Sequence, residues 1–181
     1  MRGLLAALAL IPGLAQAAPP PPELVSTLLR VAIVVSDLEA SQRFYTQALG
    51  YAVSYSGDIT RPAVIRQLGL AEGQRAWFVV LRSSQVIAGA KRDGAMVGLL
   101  AITNPAPPQM QRPAGAALAR GEQMFAMRTS DIAAVHARLL ELGAPIVVAP
   151  MRSPDGRETE LVTRDPDGTR IHVVQQEASD P

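Results

Sequence analysis

One local pattern occurs twice in this chain and limits what it can fold into. Arg30-Val-Ala-Ile-Val-Val-Ser-Asp37 and Met124-Phe-Ala-Met-Arg-Thr-Ser-Asp131 each read as a strand. Each has alanine two residues after its first position, and each ends in Ser-Asp, where a helix should start. Downstream of both copies the order is the same: helix, glycine, then three strands. A repeat of this length outweighs any single motif, because it makes the chain two copies of one supersecondary unit.

In the first copy, Leu28 to Val35 is a β-branched apolar run. Ser36-Asp-Leu-Glu39 has the Ser-x-x-Glu form of a capping box, and the spacing predicts a helix over 38–49 closed by Gly50. Strands follow at 51–56, 75–82 and 95–103, with a short helix near 63–68. Four prolines (Pro105, Pro107, Pro108, Pro113) mark 104–120 as a linker. In the second copy a strand at 123–129 leads to Ser130 or Asp131 as cap. Ile132, Val135, Leu139 and Leu142 then recur at helical spacing, and Gly143 stops the helix. Ile146 to Ala149 is a strand, and 158–163 with 170–175 form a hairpin around Asp165-Pro-Asp-Gly168. The fold class is therefore α+β, two βαβββ modules at 26–103 and 121–176 within one domain over 26–177.

The ends and the composition bound the function. Arg2, the apolar run Leu4 to Leu14, and Ala15-Gln-Ala17 have the form of a secretory signal over 1–17. A Pro-rich tether over 18–25 follows, and the mature protein is expected in a periplasm or outside the cell. A net charge of +1 argues against nucleic acid as partner. The absence of cysteine excludes disulfides, thiolate catalysis and Cys-ligated zinc. There is no Ser-His-Asp pattern, P-loop or Gly-rich phosphate fingerprint.

Four stretches carry a family resemblance: Val31-Ala-Ile-Val-Val-Ser-Asp-Leu-Glu-Ala-Ser41, Arg43-Phe-Tyr-Thr-Gln-Ala-Leu-Gly50, Val135-His-Ala-Arg-Leu-Leu-Glu-Leu-Gly-Ala144 and Asp165-Pro-Asp-Gly-Thr-Arg-Ile171. In this order they resemble the vicinal oxygen chelate superfamily of glyoxalases, bleomycin-resistance proteins and extradiol dioxygenases. The resemblance implies a glyoxalase-like curved mixed sheet around a concave cup, helices on its convex side, a ligand in the cup, and a homodimer. Strand alternation then sends Arg30, Ala32 and Val34, Met124, Ala126 and Arg128, and His172 with Val174 toward the cup. Ala32 and Ala126 leave room for a ligand, and Trp77, sharing parity with Arg75 and Val79, offers a cup wall for stacking.

The superfamily's metal enzymes take one ligand from each of four strands. Carried over, those positions are Arg30, about Ala101, Met124 and His172. Arginine cannot ligate, alanine has no donor, and a thioether suits soft ions. One imidazole does not make a zinc site. No metal or other cofactor is expected. The ligand-binding set is then Arg30, Met124, His172, Ala32, Ala126 and Trp77, suited to a small organic, anionic molecule. No catalytic residue is assigned. Two other readings stay open: a lyase, isomerase or dioxygenase with an atypical metal site, and an interaction protein whose cup is filled.

Overall fold

The structure is a computed structural model describing residues 28–84, 86–87, 90–91, 96–112 and 117–176. The signal and tether expected over 1–25 lie outside the described residues. The first module comprises β1 (Arg30–Val35), α1 (Leu38–Arg43) continued by a π-helical turn (Phe44–Ala48), β2 (Ala52–Asp58), α2 (Pro62–Gln67) and β3 (Arg75–Arg82). A short ladder of β4 (Val86–Ile87) with β5 (Ala90–Lys91) precedes its last strand, β6 (Met96–Thr103). The second comprises β7 (Met124–Arg128), α3 (Ile132–Glu141), β8 (Ile146–Arg152), β9 (Glu158–Arg164) and β10 (Arg170–Gln176).

The repeat holds in the topology. The sheets run β1-β6-β3-β2 and β7-β10-β9-β8, each with its first strand parallel to its last and the rest antiparallel. Both are four-stranded mixed sheets, and they are not closed on each other. Alternation decides which face of each is buried. Ile33, Val35, Val79, Leu81, Val97 and Leu99 from the first module join Ile132, Val135, Leu139, Leu161, Ile171 and Val173 from the second in one core. One apolar cluster spanning both repeats means that neither module buries its helix-side face alone.

Two helix starts are built alike. Asp37 accepts from the Ala40 amide at 2.9 Å, and Asp131 from the Ala134 amide at 2.8 Å. The aspartate of each Ser-Asp pair is the N-cap, since its short side chain reaches the third residue of the helix. The capping box expected on Ser36 does not form. Glu39 turns outward to Arg43, and the Ser36 amide is taken by the other module. The expected helix over 38–49 also changes pitch at Phe44.

The Asp165–Gly168 turn does more than reverse the chain. Asp165 is buried; it accepts from the Thr169 amide at 2.7 Å and, across the modules, from the Tyr45 hydroxyl at 2.9 Å. Asp167 accepts from the Ser36 amide at 3.0 Å and the Ser41 hydroxyl at 3.5 Å. The turn therefore clasps the second module to the first helix. Burial, with Asp167 nearby, raises the Asp165 pKa above the usual carboxylate range, against the bonds from Thr169 and Tyr45. Burial and then Asp165 push the Tyr45 phenol up.

Candidate functional site

The sheet faces opposite the shared core carry the candidate residues. On the first sheet, Arg30, Ala32 and Val34 are exposed while Ile33 and Val35 are buried. Arg30 lies over the ring of Phe78, its guanidinium carbon 5.0 Å from the ring centroid, within cation–π reach. Gly98 makes this possible, because a β-carbon there would stand 2.7 Å from two ring atoms of Phe78 and 3.4 Å from Arg30 Cδ. Ala76, Val80 and Leu100 share this face by register and are buried, outside the shared core. The result is an apolar strip with a planar cation laid across it.

Trp77 is not on this strip. Val79 and Leu81 are fully buried in the core, so residues of their parity, including Trp77, point to the core side. Trp77 sits at the margin of that face, 40% exposed, with its indole N–H donating to the Ser56 hydroxyl at 2.9 Å. The ring on the Arg30 face is Phe78, one residue along. Ala101 is displaced in the same sense: it pairs with Val35 and packs on the core, so the residue facing Arg30's side there is Leu100.

On the second sheet Met124, Ala126 and His172 share one face: Met124 stands opposite Arg170 and Ala126 opposite His172. Met124 is exposed, while the His172 side chain keeps 22% of its surface. His172 has a partner that sequence reasoning missed. Its Nε2 lies 3.1 Å from Glu160 Oε2. β9 places Glu160 opposite Val174, one step along the same face, so carboxylate and imidazole meet diagonally across the ladder. A carboxylate receiving Nε2–H leaves Nδ1 with its lone pair, the tautomer that can accept a proton or a hydrogen bond. Met124, Ala126 and His172 are thus brought together on one sheet, and Arg30 and Ala32 belong to the other.

A cavity of about 660 Å³ opens elsewhere. The linker residues Gln109–Arg112, the start of β8 and the Pro166–Gly168 turn form its walls, and neither Arg30, Met124 nor His172 reaches it.

Comparison with known proteins adds the lineage. A family model described as Glyoxalase/Bleomycin resistance protein/Dioxygenase superfamily matches residues 27–173. The chain belongs to this superfamily. Among solved structures, a glyoxalase family protein from Bacillus cereus is 17% identical, with 91% of this chain and 100% of that one covered and a TM-score of 0.71. Glyoxalase I from Zea mays is 19% identical with a TM-score of 0.58; the match covers 85% of this chain and 46% of the maize enzyme, so the chain spans about half of it. A superfamily member from Sphaerobacter thermophilus is 22% identical over 84% of this chain and 98% of that one, with a TM-score of 0.50. No curated protein matches. At these identities the likeness establishes the fold and leaves chemistry to the site itself.

The superfamily's usual divalent ion can be tested against the donors present. Arg30 carries a positive charge, Leu100 offers hydrocarbon, and Met124 a thioether. His172 is one imidazole already bonded to Glu160. Among the described residues no three of His, Cys, Asp and Glu group as ligands. This donor set does not fit a hard or borderline divalent cation, which takes three or more nitrogen or oxygen ligands.

Proposed function

We propose that this superfamily member is an exported protein that binds a small organic anion without the divalent metal, using the Arg30 face and the His172 face. One observation carries the reading: the Arg30 guanidinium, exposed and stacked on Phe78 above Gly98. A planar cation on an aromatic support is pre-organised for a carboxylate or phosphate, so little side-chain freedom is lost on binding. The apolar strip around it suits the ligand's hydrocarbon body. A homodimer with the two faces brought together completes the proposal.

The test is calorimetric titration of candidate carboxylates. Arg30→Ala should weaken binding by about 1.5–3 kcal/mol, the size of a hydrogen bond to a charged group. Equal affinity in wild type and variant would remove Arg30 from the site. Export has its own test. Protein recovered from the native host should lack its first 17 residues by mass spectrometry, and an intact Met1 on periplasmic or secreted protein would contradict export by this signal.

The His172–Glu160 pair favours a second reading, in which the protein is an isomerase or lyase that moves a proton. An imidazole oriented by a carboxylate is a suitable general base. Turnover that survives chelator and is lost in His172→Gln would favour this reading over binding alone.

A further inference from the structure

The cavity beside the linker has features of a second binding site, separate from the Arg30 face. Its volume of about 660 Å³ lies within the range of small-molecule pockets. Met110, Pro145, Ile146 and Val147 supply apolar wall, and Arg112 and Arg164 supply charge. The two arginines are not equivalent. Arg164 is neutralised by Glu122 at 2.7 Å and also donates to the Gly168 carbonyl at 2.6 Å. Arg112 lies along Gly168, where a β-carbon would come within 3.3 Å of its Cδ. Its Nη1 donates to the Asp167 carbonyl, and its Nε is buried without an acceptor.

No ion pair neutralises Arg112 among the described residues. The acid in the cavity wall, Asp167, has its carboxylate turned to Ser36 and Ser41. Among the described residues this half-buried guanidinium is held by a carbonyl alone, which leaves its charge without an ion-pair partner and Nε without an acceptor, and both are costly away from water. Nε itself is covered, but Arg112 borders the cavity, and an external carboxylate meeting the rest of its guanidinium would supply the missing charge in the planar geometry that guanidinium favours. Apolar walls facing that cation select an anion with a hydrocarbon or aromatic body over a bare inorganic one.

We propose that this cavity binds a small carboxylate with an apolar body, its carboxylate gripped by Arg112. The experiment uses the whole chain with labelled methionine and isoleucine methyls, read by NMR. Benzoate is the probe, with benzyl alcohol and inorganic phosphate as controls. Benzoate should shift the Met110 and Ile146 methyls saturably, and both controls should bind at least tenfold more weakly. Arg112→Gln should weaken benzoate at least tenfold, Arg112→Lys less. Val147→Trp, which fills the cavity and leaves Arg112 in place, should abolish the shifts while thermal unfolding stays cooperative. Arg30→Ala should leave them unchanged, which separates this site from the proposed Arg30 site. The proposal is overturned by the absence of saturable shifts, or by benzoate binding unaffected in Arg112→Gln and Val147→Trp. Phosphate binding as tightly as benzoate would overturn the assigned ligand class.

Discussion

Asp165→Ala should lower the unfolding free energy by about 3–5 kcal/mol, since each buried polar group left without a partner costs about 1–3 kcal/mol. Three donors lose their acceptor. The Tyr45 hydroxyl is fully buried, and the Thr169 and Asp167 amides bond the other carboxylate oxygen at 2.7 and 3.1 Å. Alanine can replace none of these, and Tyr45 has no route to water. Asp165→Asn should cost much less, because its amide oxygen still accepts from the two backbone amides and its nitrogen can donate to Tyr45. It also removes a carboxylate whose charged form burial disfavours. Denaturant unfolding reads the outcome as a shift in midpoint at constant slope. A loss under about 1 kcal/mol in Asp165→Ala would mean that the clasp contributes only what an ordinary surface turn does.

Leu139→Ala should cost about 2–5 kcal/mol, the range for a fully buried leucine truncated in a packed core. Leu139 is fully buried on α3 within the cluster shared by both modules. Its neighbour Leu140 is 57% exposed, and Leu140→Ala should change stability by no more than about 0.5 kcal/mol. The pair tests the helix phase directly, because a rotation of α3 by one residue would exchange the two results. Thermal unfolding of both variants should show one cooperative transition, as one core through both modules requires.

Much of this architecture was readable from periodicity. The alternation in Arg30–Val35 and in Met124–Arg128 is legible: Val31, Ile33 and Val35, with Phe125 and Met127, mark one face, while Arg30, Ala32, Ala126 and Arg128 mark the other, which also carries Val34 and Met124. That is why Arg30, Ala32, Met124, Ala126 and His172 fall on the faces opposite the core. β3 offered no such contrast. Its run Ala-Trp-Phe-Val-Val-Leu is apolar on both faces, so period-two reasoning cannot choose between Trp77 and Phe78. What settles it is that Val79 and Leu81 pack in the shared core while Val80, buried as well, lies outside it.

Other features depend on long-range placement. Glu160 reads as one of two like charges in Glu158-Thr-Glu, at the start of a hairpin strand, until antiparallel pairing with β10 brings it beside His172. Arg112 sits in a proline-rich linker with no local sign of the cavity it borders. Ser36-x-x-Glu39 satisfies the capping-box pattern, yet Asp37 wins the cap because the Ser36 amide is bonded by Asp167, 131 residues away in sequence. Local pattern cannot register a competitor that distant.

The proposal that matters most is ligand binding without a divalent metal, and its most direct measurement is titration of zinc, nickel and manganese into chelator-treated protein by calorimetry. The donors of Met124 and His172 should give no stoichiometric binding at micromolar or tighter affinity, since His172 with Glu160 supplies too few ligands and Arg30, on the other sheet, can add none. Heats should stay at the level of dilution in wild type and in His172→Ala alike. Stoichiometric metal binding at micromolar affinity, abolished by His172→Ala, would contradict the account and place His172 in a metal centre.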